Sequence, residues 1–154
     1  MTRLLPANAR RFSDYDSPRR ERTLDLEELL SNAARDQIRR ARQQSFVAFP
    51  VTFSSTAFLV NTKQNLVLID TGAGSLSGLS FGRLLGNLRA SGYEPEQIDH
   101  VFLTHLHVGH SGGVQPGSQA GGRTFPNATV RVSQAEVDYW LNLANEAGSS
   151  EINK

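Results

Sequence analysis

Cysteine is absent from this chain of 154 residues, which excludes disulfides and thiolate metal ligands and leaves the redox compartment unread. Long apolar runs are absent too, since none approaches the roughly 18–20 residues that span a bilayer. The opening stretch MTRLLPANARRFSDYDSP lacks the apolar segment of a secretory signal, and its acids argue against a transit peptide. The expectation is a cytoplasmic protein with no membrane partner. A surplus of one charge is also missing: 16 basic residues stand against 15 acidic ones, a formal net charge of +1. That balance removes the general electrostatic case for nucleic acid. The sequence shows no internal repeat. What is present, 38% hydrophobic and 20% charged residues, is the ordinary composition of a soluble globular domain.

The near-neutral total hides an asymmetry. Residues 1–45 carry ten arginines against seven acids, whereas residues 46–154 carry six basic residues against eight acidic ones. The boundary is accordingly placed near Ser45, dividing an Arg-rich extension (1–45) from a second region (46–154). Residues 1–22 read as a flexible lead-in. From Leu24 to about Gln44, Leu26, Leu29, Leu30, Ala33, Ala34, Ile38 and Ala41 recur at three- and four-residue steps, which predicts one amphipathic helix. Asp25 and Glu28 fit a capping box at its start. Its other face bears Arg35, Arg39 and Arg42, diluted by Glu27, Glu28 and Asp36, and reads as a solvated face ahead of a surface for membranes or acidic partners.

Beyond Ser45 the pattern changes to short apolar strands at Phe46–Phe49, Ala57–Val60 and Leu66–Ile69, with a hairpin turn over Asn61–Asn65. Phe81, Leu84, Leu85 and Leu88 predict a helix closed by Gly92 in a left-handed cap. Ile98 and Val101–Leu103 form the next buried strand, Ala128–Val132 another. Ser133 with Glu136 then opens a helix through Tyr139, Trp140 and Leu143.

All four histidines, His100, His105, His107 and His110, fall within eleven residues. His105 and His107 are two apart, so in an extended loop both rings project to one side, and His110 follows after room for a turn. Neutral imidazoles suit zinc and similar divalent ions, and three of them can form a site with an open position. Gly112 and Gly113 let the backbone turn sharply and start a helix close beneath such a site. His100, at the far end of the strand, is assigned a structural role.

The segment THLHVGHSGG resembles the histidine motif of the metallo-β-lactamase superfamily, His-x-His-x-Asp-His followed by Gly-Gly. NTKQNLVLIDTGAG, GRLLGNLRASGYEPEQIDHVFLTHLH and FPNATVRVSQAEVDYWL are similar to its methyl parathion hydrolase-like branch, from about Ser55 to Leu143. The resemblance implies the amino-terminal half of a four-layer αββα sandwich, an α/β fold. It also implies one or two divalent metals, usually zinc, and hydrolysis of phosphotriesters, lactones or related esters by a metal-bound hydroxide. His105 and His107 would bind the first ion and His110 the second, with Asp70 supporting the histidine loop through hydrogen bonds.

Two departures set further expectations. Gly109 stands where the family places a metal-binding Asp, and no histidine follows His110. Of the later carboxylates, Glu136 and Asp138 are assigned surface or capping roles on the predicted helix. Activity of this chain alone is expected to be weak or nil, and the alternative is a truncated remnant that binds one metal or a partner. Without a second half, Leu59, Val67, Val101 and Leu103 are expected to lose cover, and the open sheet face would favour a homodimer. An interaction module built on the Arg-rich helix ranks last.

Overall fold

The computed structural model describes residues 8–13, 23–24, 26–30, 32–45, 51–52, 55–77, 82–115 and 122–142. Its strands and helices, in chain order, are β1 (Ala9–Ser13), β2 (Thr23–Leu24), α1 (Leu26–Leu29), α2 (Arg35–Gln44), β3 (Val51–Thr52), β4 (Thr56–Asn61), β5 (Leu66–Ile69), α3 (Leu84–Ala90), β6 (His100–Phe102), α4 (Val108–Ser111), β7 (Thr129–Arg131) and α5 (Gln134–Trp140). They fall into two compact units, Met1–Asp16 with Ser55–Lys154, and Ser17–Ser54. The predicted strand Phe46–Phe49, Phe81 and Asp25 lie outside the described residues.

The larger unit is an α/β fold, as the sequence predicts. Its mixed sheet has the order β1-β4-β5-β6-β7. The first three strands run antiparallel, and β5, β6 and β7 run parallel. The hairpin between β4 and β5 turns over Thr62–Asn65, closed by the Asn65 carbonyl accepting from the Thr62 N–H at 3.0 Å. Lys63 takes the positive φ that such a turn needs. A parallel pair cannot be joined by a hairpin. Between β5 and β6 the crossover contains α3, which ends at Ser91 with Gly92 at φ +83, the predicted left-handed position.

Strand alternation sorts the side chains. Ala57, Leu59, Leu68 and Val101 point to one face, where Leu84 and Leu88 of α3, with Phe12, Ile98, Leu103 and Phe125, complete a buried core. Each fully buried Leu of this kind contributes about 1.5–3 kcal/mol. The expected loss of cover is therefore corrected for Leu59, Val101 and Leu103, which are buried. They face the α3 side of the sheet. Phe58, Val67 and Ile69 belong to the opposite face and are half-buried, and Phe102, paired there with Ile69, is 43% exposed.

Two further expectations are corrected. Residues 1–22 do not serve only as a lead-in, because Ala9–Ser13 pairs with β4 from Ala9↔Val60 to Ser13↔Thr56 and places Phe12 in the core. In the smaller unit, the single helix predicted over 24–44 is divided into α1 and α2. Ala33 donates to the Leu30 carbonyl at 2.9 Å, and the Gln37 side chain accepts from the Ala34 N–H at 3.3 Å, opening a fresh helix start. Asn32 lies in that break, where its short polar side chain competes with helical backbone bonding. Ile38 is the buried residue of α2. Arg35 pairs with Glu27 at 3.1 Å and Arg40 with Asp36, exposed pairs worth at most about 1 kcal/mol each.

Candidate metal centre

Parallel strands deliver their carboxyl ends to one edge of a sheet, which is where α/β folds assemble their sites. Here β5 ends at Asp70, β6 runs on into Thr104–His110, and β7 leads into α5. Asp70 is 6% exposed and adopts φ +58, a conformation that Asp tolerates better than most residues. Its backbone N–H donates to the Phe102 carbonyl at 2.8 Å, so β5 and β6 stay registered up to the site.

The Asp70 carboxylate organises two of the three clustered histidines. Oδ1 accepts from the Thr104 backbone N–H at 2.8 Å, and Oδ2 accepts from His110 Nδ1 at 2.9 Å. The Thr104 hydroxyl lies 2.9 Å from Oδ2 and 3.0 Å from Oδ1, and 3.0 Å from His105 Nδ1. A hydroxyl has one proton to give. Donated to the carboxylate, it leaves the Thr104 oxygen to accept from His105 Nδ1–H. Both His105 and His110 then carry their proton on Nδ1 and present Nε2 as the free lone pair. Hydrogen bonds of this kind select the ligating nitrogen in histidine metal sites.

The rings gather. His105 and His107 meet edge to face with centroids 4.8 Å apart, and His105 and His110 lie 4.0 Å apart at 45°. With metal–nitrogen bonds of about 2.0–2.1 Å, two imidazoles on one tetrahedral ion hold their centres roughly 5 Å apart. The first pair is close to that separation, and the second is tighter. Among the described residues, no group of three or more His, Cys, Asp or Glu side chains is arranged to hold a metal ion. The fit to a metal is thus partial: two oriented Nε2 donors and a third adjacent ring, without a complete ligand set.

Burial lowers the pKa of His105 below its ordinary 6.5, and repulsion from His110 and His107 lowers it further, outweighing the opposite pull of Asp70 and Glu136. A neutral imidazole is the form that ligates.

The glycines act by close approach more than by turning. Gly112 has an ordinary helical φ of −60, but a Cβ there would overlap the Ala73 carbonyl, and one on Gly113 would overlap the Thr71 carbonyl. The expected helix start is corrected: α4 begins at Val108 and the glycines follow it. They let the loop press on residues 71–73, where Thr71 donates its N–H and hydroxyl to the His110 carbonyl at 2.7 and 2.9 Å. At Gly109 a Cβ would meet nothing within 4 Å, and its carbonyl accepts from the Ser55 hydroxyl. The backbone there is held while the side-chain direction is open.

His100 lies in β6 opposite Val67 and Thr129, away from the cluster as expected, with Nδ1 buried and lacking a partner among the described residues. Asp138 accepts from Gln134 at 2.7 Å, an exposed contact within α5. Glu136 departs from its expected surface role. Its N–H donates to the Ser133 hydroxyl oxygen at 3.3 Å, the predicted cap, but its Oε2 accepts from the Leu106 N–H and from Trp140 Nε1, both at 2.9 Å. The Leu106 amide holds the Glu136 carboxyl below the ordinary range, aided by Trp140, His105 and His107. Thr104 and Trp140 were likewise missed, because nothing in a linear sequence marks a hydroxyl beside a histidine, or an indole 33 residues away, as its neighbour.

The family model of the metallo-beta-lactamase superfamily matches residues 50–122. The chain is 36% identical over 67 residues to an N-acyl homoserine lactonase, AttM, of Rhizobium johnstonii, a match spanning 44% of this chain and 22% of that protein. It is 43% identical over 60 residues to the lactamase-like protein adaB of Aspergillus niger, covering 39% of this chain and 17% of the relative. Among solved structures, the hydrolase AbOPH of the beta lactamase superfamily superposes with a TM-score of 0.73 at 33% identity, covering 96% of this chain and 49% of that one. AidC, a dizinc quorum-quenching lactonase, gives 0.70 at 27% identity, covering 87% and 44%. The chain thus spans about half the length of these solved relatives, which fits half of an αββα sandwich. Where the sequence resembles the methyl parathion hydrolase-like branch, the named relatives include lactonases instead. Residues 50–122, which contain Asp70 and the three clustered histidines, match the metallo-beta-lactamase superfamily model, and the chain resembles hydrolases of that superfamily in sequence and fold.

Proposed function

We propose that this chain carries the histidine-bearing part of a metal-dependent hydrolase acting on lactones or related esters, with His105, His107 and His110 as ligands for divalent metal, zinc foremost. The observation that carries the reading is the bonding of Asp70, directly to His110 and through Thr104 to His105. It turns two Nε2 lone pairs outward and keeps them in one tautomer, the form a metal requires. A bound divalent ion would supply Lewis acidity and acidify water near neutral pH. The chain's own contribution is to orient the His105 and His110 rings at the sheet edge. The lactonase relatives favour a cyclic ester substrate; a phosphotriester, another class implied by the sequence resemblance, is the comparison substrate for the assay.

The test is zinc content after purification without chelator, read against the chain with all three histidines changed to Ala. About one ion per chain is expected for the unaltered protein, and none for the variant. Equal metal in both would sink the ligand assignment.

Gly109 favours a second reading, in which the chain binds metal or a partner without catalysis. The resembled family has a carboxylate at this position, and Gly has none to supply. The open space around Gly109 makes Gly109→Asp the discriminating variant. Lactone hydrolysis by the unaltered chain, raised in Gly109→Asp, would support an impaired hydrolase and refute the non-catalytic reading, whereas hydrolysis in neither would support it.

A further inference from the structure

Helix α5 carries a carboxylate that the proposed function does not use. Glu136, in the first turn of α5, directs Oε2 to the Leu106 N–H and the Trp140 indole N–H, at 2.9 Å each. Leu106 is the residue between His105 and His107, so a carboxylate 30 positions away grips the peptide that sets the two rings relative to each other. The same oxygen aligns Trp140, whose ring stands 5.2 Å from His107 at 75°. Asp70 serves His110 directly and His105 through Thr104. His107 is packed instead between His105 and Trp140.

We infer that Glu136 is a positioning residue of the histidine site, fixing the Leu106 amide and the Trp140 indole together so that His105 and His107 stay edge to face. An ionised acceptor makes stronger, shorter bonds than a neutral one, and two donors converging on one oxygen leave the carboxylate little freedom. The interaction also joins the third parallel strand to the site, because α5 follows directly on β7. Its consequence for metal binding rests on the proposed function; the geometric role does not.

Three variants separate geometry from general destabilisation. Glu136→Gln keeps an acceptor oxygen, Glu136→Ala removes it, and Ser133→Ala weakens the α5 cap without touching Leu106. In metal-free protein, exchange of the Leu106 amide is followed by NMR, with emission of Trp140, the chain's one tryptophan, as a second readout. Glu136→Ala is expected to speed Leu106 exchange at least about tenfold and to shift the emission. Glu136→Gln and Ser133→Ala should stay within about threefold of the unaltered chain. Zinc affinity should then fall about 10–100-fold in Glu136→Ala, the usual cost of losing a residue that supports a ligand, with Glu136→Gln largely restoring it. Leu106 exchange unchanged in Glu136→Ala would overturn the inference. If exchange responds but the unaltered chain takes up no zinc, the metal reading fails and the positioning role stands. If zinc binds Glu136→Ala and the unaltered chain alike, the positioning role fails and the metal reading stands.

Discussion

Removing the Asp70 carboxylate tests how the histidine loop is held. The carboxylate receives three donors, the Thr104 N–H, the Thr104 hydroxyl and His110 Nδ1–H. Bonds to a charged group contribute about 1.5–3 kcal/mol each, but members of one network do not add fully. Breaking a buried charged network by deleting one partner costs about 3–5 kcal/mol. Asp70→Ala also forces a β-carbon residue without a helpful polar group into φ +58, a further cost of about 1 kcal/mol. A total of about 4–6 kcal/mol is expected, a large share of an ordinary domain's stability of about 5–15 kcal/mol. Asp70→Gly should be less severe than Ala by about 1 kcal/mol, because glycine accepts the left-handed backbone. Asp70→Asn keeps shape and conformation but turns an amide N–H toward a donor, and should cost about 2 kcal/mol. Urea unfolding followed by circular dichroism gives the order Asn, Gly, Ala from mildest to worst. A loss below about 1 kcal/mol in Asp70→Ala would refute the claim that this carboxylate holds the loop.

Two further perturbations follow from the same geometry. Gly109→Asp should leave the urea midpoint nearly unchanged, since its Cβ enters open space, whereas Gly113→Ala should cost about 1–3 kcal/mol by overlap with the Thr71 carbonyl. The reverse order would contradict the close approach of the two loops. In the metal-free chain the lowered pKa of His105 means that the fold prefers this ring neutral. Its contribution is fully present above pH 6.5, the ordinary value, and is lost as the pH falls from there through the folded value. Urea midpoints measured from pH 8 to pH 5 should decline across that window, with a shallower decline in His105→Gln. A midpoint that rises as the pH is lowered from 7 to 6 would contradict the assignment.

Much of this protein was legible in linear form, because the signals were local. The short apolar runs Ala57–Val60 and Leu66–Ile69, the turn between them, the Gly92 cap and the Ser133 cap depend on near neighbours in the chain, and each is present. The histidines, close together in the chain, marked the candidate site for the same reason. The tertiary structure decided what depends on strand pairing. An extended segment can reach any sheet edge, and only register shows that Ala9–Ser13 lies on β4. Burial depends on which face meets α3, so Leu59 and Val101 are covered while Phe102 is 43% exposed. Parallel β5, β6 and β7 bring Asp70, Thr104 and Glu136 to one edge from positions 34 and 32 residues apart, and spacing of that length carries no imprint in composition or period. The close contact that forbids side chains at Gly112 and Gly113 is likewise a property of two packed loops. The sequence by itself determined the imidazole-rich loop; the alignment of three parallel strand ends determined which side chains hold it and how the His105 and His110 rings are bonded.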